Sequence, residues 1–288
     1  MNNNTLSTKF LGCDSDFLSA EIVIFGAPYD GTTTFRPGTR FAPSAMRIDS
    51  IGIESYSPYF DADITDFTVN DFGDLDLPFG SPKKALSMIS ETAEYIFSNN
   101  KKPLMIGGEH LVSLPAIEQA VKKYPGLKII HFDAHTDLRE DYLGEALSHS
   151  SVIRRVWDIL GDGSIWQFGI RSGTREEFYW SREGHTSMCL HNFDTLGTAV
   201  EEIGGSPVYL TIDLDVLDPS NFPGTGTPEA GGVSFAQLIA ALKTVSKLNI
   251  IGADIVELSP HYDHSGASTA LACKVLREVL LAMSILTH

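Results

Sequence analysis

Asp133, His135 and Asp137 stand two residues apart in the stretch LKIIHFDAHTD, residues 127–137. In an extended backbone, alternate side chains share a face and sit about 6 to 7 Å apart, so all three can enter one pocket where an apolar strand ends. The stretch TIDLDVLD, residues 211–218, repeats the device, with Asp213 and Asp215 following the apolar run Val208, Tyr209 and Leu210. A third array comes from IGGEH, residues 106–110, where two glycines allow the close turn that aims His110 inward.

Four carboxylates, Asp133, Asp137, Asp213 and Asp215, cannot share a pocket unaided. Each like-charge pair at about 4 Å costs about 4 kcal/mol at an effective dielectric near 20. Two divalent cations would cancel the summed charge, and His110 and His135 would complete the coordination as neutral imidazoles. Oxygen-rich ligation with two imidazoles and no thiolate suits manganese over iron, cobalt or magnesium, and argues against structural zinc. Turn chemistry alone would explain either acidic motif, since Asp is common in turns. It does not explain three ligand-bearing motifs that each follow their own apolar strand.

The rest of the chain is what positions these residues. Its 288 residues carry no Pro/Ser-rich linker, repeat or low-complexity tract, so a single catalytic domain over residues 1–288 is expected. The start, MNNNTLSTKF, has neither the basic nor the apolar region of a signal peptide. No apolar run approaches a membrane span. Cys13, Cys189 and Cys273 are few, odd in number and far apart, which fits reduced thiols in a cytoplasm. A formal net charge of −16 argues against nucleic acid or anionic membranes as partners and leans towards a cationic substrate.

Apolar strands alternate with helical patterns throughout, the signature of a mainly parallel sheet of about eight strands covered by helices. Strands are expected near 22–25, 67–71, 102–106, 127–132, 165–169, 188–190, 208–212 and 250–256. Helices are expected from Pro43, over 82–99, from a Ser113 cap to Tyr124, over 152–160, from Thr174, over 196–203, from a Ser234 cap to Val245, and as a closing amphipathic helix over 267–286. The long Gly/Thr/Pro loop GAPYDGTTTFRPGTR after the first strand reads as functional. In open α/β sheets ligands bind beyond the carboxyl ends of the strands, where all three arrays lie.

GGEH, HFDAHTD, LSHS, TIDLDVLDPSNFPGTGTPEAGG and DIVELSP, in this order and across most of the chain, resemble the ureohydrolase family of arginases and agmatinases, with bacterial agmatinases the nearest pattern. The resemblance implies a three-layer α/β/α, arginase-like fold and two Mn2+ per subunit. It implies one ion held by His110, Asp133, Asp137 and Asp213, and the other by Asp133, His135, Asp213 and Asp215. It maps a proton-transfer histidine onto His149 and a guanidinium-orienting carboxylate onto Glu257. It also implies a homo-oligomer, trimer or hexamer.

The implied chemistry is physically coherent, because a guanidinium carbon is a poor electrophile that only a strong nucleophile attacks. Two divalent ions lower the pKa of bound water enough to keep a bridging hydroxide near neutral pH. Asp137 can accept a hydrogen bond from it and pass the proton to the leaving amine. Glu257, after the apolar IIGADIV and before Pro260, can pair bidentately with a guanidinium. His131 shares a face with Asp133 but lies one step deeper, and reads as a core histidine. His261 and Asp263 read as rim-loop residues.

Two departures stand out from the family pattern: Leu111 follows His110 where serine is usual, and Ser150 replaces the glycine after His149. The loop LREDYLGEALSHS, residues 138–150, resembles that of agmatinases, and its Glu140, Asp141 and Glu145 read as solvated charges. The expectation is hydrolysis of agmatine, a small cationic guanidino compound, to putrescine and urea. The alternatives are 4-guanidinobutyrate or arginine as substrate, or a catalytically silent metal-binding relative. PGTGTP lacks the strand-to-helix context of a dinucleotide loop, and GASTA lacks the strand a nucleophile elbow requires.

Overall fold

The computed structural model describes residues 8–284. Residues 1–7, within the stretch read for signal features, and the expected run of the closing helix to Leu286 lie outside the described residues. Ten strands form among the described residues: β1 (Ile22–Ala27), β2 (Tyr56–Ser57), β3 (Ala62–Asp63), β4 (Val69–Asp74), β5 (Lys102–Gly107), β6 (Lys128–Phe132), β7 (Ile165–Ile170), β8 (Ser187–Leu190), β9 (Pro207–Asp213) and β10 (Asn249–Val256). Eight of them make one sheet in the order β4-β1-β5-β10-β9-β6-β7-β8, with every pairing parallel. The β2–β3 pair is a separate antiparallel ribbon. Each of its strands has two residues, too short for the alternation that reveals a strand.

The helices are α1 (Ala42–Asp49), α2 (Pro82–Ser98), α3 (Ser113–Lys123), α4 (Val152–Leu160), α5 (Arg175–Trp180), α6 (Leu196–Ile203), α7 (Phe235–Val245) and α8 (Ala267–Ser284). Strands buried on both faces read as continuous apolar runs, and successive residues serve opposite layers. Ile130, Phe132, Leu210, Ile212 and Ile255 join the core under α1, α6, α7 and α8. Ile129, Ile165, Tyr209 and Ile251 join the core under α3 and α4, and Val23, Phe25 and Met105 pack on α2 residues Ala85, Ile89 and Ile96. The three-layer α/β/α architecture is therefore as expected.

Two expectations need correction. Ser113 does not cap α3: a 3-10 turn, His110–Val112, runs straight into the helix, so Ser113 is its first residue and makes no side-chain cap. α8 is amphipathic only in its first half, where Ala267 and Ala270 are exposed; from Val275 to Ser284 every residue is buried, Arg277, Glu278 and Ser284 included. That burial is tolerable because Arg277 Nε donates to Glu278 Oε1 at 2.9 Å and its Nη1 to the carbonyls of Glu54 and Tyr56. Thr174 and Ser234 do cap α5 and α7, each in a reciprocal box with the residue three on, Glu177 and Gln237. No helix among the described residues is long and apolar enough to cross a membrane.

Candidate metal centre

Four adjacent strands at the middle of the sheet, β5, β10, β9 and β6, bring His110, Glu257, the Asp213/Asp215 pair and the Asp133–Asp137 array to one carboxyl edge. β5 gets there through glycine: a Cβ on Gly108 would lie 1.8 Å from the Tyr29 carbonyl oxygen, and one on Gly107 would lie 2.5 Å from Val256. β6 and β9 end in the same way. Asp133 Oδ1 accepts from the His135 backbone N–H at 2.6 Å, and Asp213 Oδ1 accepts from the Asp215 N–H at 2.8 Å. In both, one carboxylate oxygen closes the turn and the other is left for the pocket.

The Oδ2 atoms converge on His110, that of Asp133 lying also 2.8 Å from His131 Nε2. Its Nδ1 lies 3.1 Å from Asp133 Oδ2, 3.1 Å from Asp137 Oδ2 and 3.5 Å from Asp213 Oδ2, yet it is buried with no aligned hydrogen-bond partner. His135 Nδ1 sits 3.0 Å from Asp215 Oδ2 and 3.5 Å from Asp133 Oδ1. Asp133, His135 and Asp215 bring ligand atoms within 4.8 Å of one another, as do His110, His131 and Asp133. All six side chains expected at the site are thus brought together. A buried, unpartnered imidazole nitrogen facing three carboxylates fits a divalent cation.

The electrostatics say the same. Burial pushes Asp213 well above the usual carboxylate range, with Asp215 and Asp133 adding to it. Burial and then Asp133 push Asp137 up to about 7. Burial, Glu109 and Asp215 raise Glu257 well above its ordinary value. Burial opposes charge on His110 and His135, but the carboxylates around them hold both imidazoles well above the ordinary value. Asp133 goes the other way: burial opposes its charge, but His131, His110 and His135 hold it well below the usual carboxylate range. One ionised acid among raised acids and raised imidazoles is a cluster in want of positive charge, which divalent ions would supply with its carboxylates ionised.

Beside this cluster a cleft of about 250 Å³ is lined by Thr34, Arg139, Tyr142, His149, Glu177 and Thr227, together with His110, His135, Asp137 and Asp213. Glu257 is on its wall, where its Oε1 accepts from the His110 N–H at 2.8 Å and its backbone N–H reaches the Gly108 carbonyl at 2.9 Å. Asp137 and Glu257 hold left-handed backbones, φ 51° and 66°, which side chains other than glycine adopt at a cost and which cluster at functional sites. His149 lines the same cleft, pushed down to about 4 by burial and by His135 and His110. The exposed Glu140, Asp141 and Glu145 do not line the cleft. Neither do His261, edge-on to Phe41 at 4.6 Å, and Asp263.

Several supporting residues were not read from the sequence. Glu109, raised to about 7 by burial, accepts from Thr32 N and Oγ1 at 2.9 and 2.7 Å and from Thr33 Oγ1 at 3.1 Å, which anchors the long loop after β1. His131 is a core histidine as expected, but its Nε2 lies 2.8 Å from Asp133 Oδ2 and its Nδ1 3.1 Å from Gln167 Nε2. His110 Nε2 meets Thr211 Oγ1 at 2.9 Å, and that hydroxyl donates to the buried Asp254 at 2.6 Å. Alternation along β6 signals the placement of His131; nothing in the sequence signals Thr32 or Asp254.

Residues 20–282 match the Arginase family profile. The agmatinase of Bacillus subtilis (strain 168) is 47% identical over 277 residues, covering 94% of this chain and 95% of that protein. The guanidinobutyrase of Pseudomonas aeruginosa is 35% identical over 280 residues, covering 93% and 87%. A crystal structure from Clostridium difficile superposes with a TM-score of 0.93 at 49% identity, covering 95% of this chain and 100% of that one.

Proposed function

The chain belongs to the arginase family, hydrolases that act on guanidino carbon–nitrogen bonds, and from that premise we propose that its substrate is agmatine, cleaved to putrescine and urea. The observation that carries this reading is the 47% identity to the Bacillus subtilis agmatinase over 94% of the chain. The reading takes residues 1–288 as one catalytic domain acting as a cytoplasmic homo-oligomer, trimer or hexamer, whose product feeds polyamine synthesis.

In this reading two Mn2+ would be held, one by His110, Asp133, Asp137 and Asp213 and one by Asp133, His135, Asp213 and Asp215. The bound ions supply Lewis acidity and a water of lowered pKa. The chain's own residues do the rest. Glu257, fixed by the His110 N–H, pairs with the guanidinium and turns its carbon towards the metal-lined floor. Asp137 takes the proton released by the attacking water and returns it to the leaving nitrogen, so that the amine departs protonated. His149, at the cleft wall with its ring on Thr34, carries protons between this pocket and solvent.

A carboxylated substrate is the second reading, favoured by Arg139 on the cleft wall. Arg139 Nε is 4.0 Å from Glu177 Oε2 and its guanidinium carbon 5.3 Å from the Tyr142 ring centroid, so its charge already has partners. A silent metal-binding relative would need neither Glu257 nor His149 in the cleft. Assaying urea release from agmatine, arginine and 4-guanidinobutyrate with Mn2+ decides among them. Agmatine is expected to give the highest kcat/KM, and preference for either carboxylated compound overturns the assignment.

A further inference from the structure

Arg171, one residue beyond the end of β7, gives its guanidinium to backbone carbonyls alone. Nη2 donates to Asp215 O at 2.7 Å, to Glu229 O at 2.8 Å and to Leu217 O at 3.4 Å. Nη1 donates to Gly169 O and Val216 O, both at 3.1 Å, and Nε to Glu229 O at 3.2 Å. No carboxylate pairs with it among the described residues. Space is kept for the fork: a Cβ on Gly232 would lie 2.6 Å from Nη2.

Apart from Gly169 O in β7 itself, these carbonyls belong to two segments that shape one side of the metal centre, residues 214–217 with Asp215 and the loop leading on from Thr227. The backbone of the same arginine grips a third. Arg171 N and Ser172 N donate to Ala134 O at 2.8 and 2.9 Å, and Thr136 N returns a bond to Ser172 O at 3.0 Å. Asp215 is caught between them, its Oδ1 accepting from Ala134 N at 3.2 Å and its Oδ2 from Thr227 Oγ1 at 3.2 Å, while His135 Nδ1 stands 3.0 Å away.

We propose that Arg171 is a positioning residue for the metal centre, a clasp that sets Asp215 against His135 by holding the Asp215 turn and the Thr227–Gly232 loop to the end of β7. The proposal rests on the reading of Asp215 and His135 as ligands of one ion. A planar fork with five donors can span these carbonyls, whereas a lysine ammonium, with the same charge and a similar stem, cannot. The clasp acts first on the ion that His135 and Asp215 would hold; it touches neither His110 nor Asp137, and the other ion is reached only through Asp133 and Asp213.

The test is titration of metal-stripped full-length protein with Mn2+ alone, followed by calorimetry, in wild type, R171K, G232A and D215A. G232A keeps the arginine but crowds both its Nη2 and the Asp218 backbone, each at 2.6 Å from the added Cβ, so it strains the same junction from the loop side should R171K fail to fold. R171K and G232A are expected to weaken one of the two binding steps ten- to a hundredfold, the range typical of residues that orient metal ligands, with the other step within about twofold of wild type. Amide exchange should rise at residues 214–217 and 227–232 and not in β1. Wild-type binding in R171K and G232A alongside a lost step in D215A overturns the clasp alone. Unchanged binding in D215A overturns the ligand reading, and the clasp with it.

Discussion

Thr34 Oγ1 lies 3.1 Å from His149 Nε2, and the backbone N–H of the same histidine donates to Thr32 Oγ1 at 3.0 Å. The proton-transfer candidate is thus held at ring and backbone by the loop after β1, and Thr32 ties that grip to Glu109, the residue before His110 just beyond β5. Serine at 150 in place of glycine is accommodated without loosening it: Ser148 and Ser151 close a reciprocal capping box around His149.

Replacing Thr34 with Val removes the ring partner at nearly constant shape. A net hydrogen bond is worth about 1 kcal/mol, so kcat should fall about fivefold with KM little changed. The pH–rate profile should move with it, because the imidazole loses a partner that favours one tautomer. An unaltered profile and rate would remove Thr34 from the account.

Glu257→Gln keeps the acceptor for the His110 N–H but loses the charge. A hydrogen bond to a charged group contributes about 1.5 to 3 kcal/mol, so kcat/KM for agmatine should drop roughly 10- to 150-fold while Mn2+ content holds. Steady-state kinetics beside metal analysis checks both halves, and loss of metal instead would make Glu257 a support for the centre.

His131→Leu leaves Asp133 without its 2.8 Å partner and Gln167 without its contact to the ring. Mn2+ affinity should weaken about tenfold or more, read by equilibrium dialysis. Affinity equal to wild type would reduce His131 to packing.

How much of this was legible follows from the physics of each segment. β6 and β9 run as buried apolar strands straight into ligands at period two, so alternation put Asp133 with His135 and Asp213 with Asp215, while the family resemblance, not alternation, put the two pairs in one site. α4 and α6 lie at their expected bounds because helical periodicity and, for α6, the glycine at 204 mark them. The β2–β3 ribbon escaped for want of length. Thr34 and His149 are 115 residues apart in sequence, and Arg171 speaks only to backbone carbonyls, so neither relationship leaves a mark in residue type or spacing. α8 looked amphipathic because Arg277 and Glu278 carry charge, but they pair with each other in the interior.

Asp263 marks the approach to α8, accepting from Ser265 N and Oγ at 3.0 and 2.6 Å and from Ser268 N and Oγ, each at 2.7 Å. The Ser265 hydroxyl and then the Ser268 bonds hold its carboxyl down at about 2. A carboxylate depressed in the folded state adds stability above its unfolded pKa near 4, and that contribution fades as pH falls from about 4 through about 2. D263A should lower Tm by about 2 °C at pH 7, and the gap from wild type should close as pH falls through that window. A gap that stays constant to pH 2 would mean the carboxylate charge is not involved.

The central claim is the proposed one, that the carboxylates gathered around His110 and His135, Asp213 among them, would hold two ions on which urea release depends. Metal-stripped protein should release no urea from agmatine, and activity should return on Mn2+ addition only as the metal content approaches two ions per chain, with D213A remaining inactive at any Mn2+ concentration. Urea release at the wild-type rate from D213A, or from protein that elemental analysis shows to be free of metal, would contradict it.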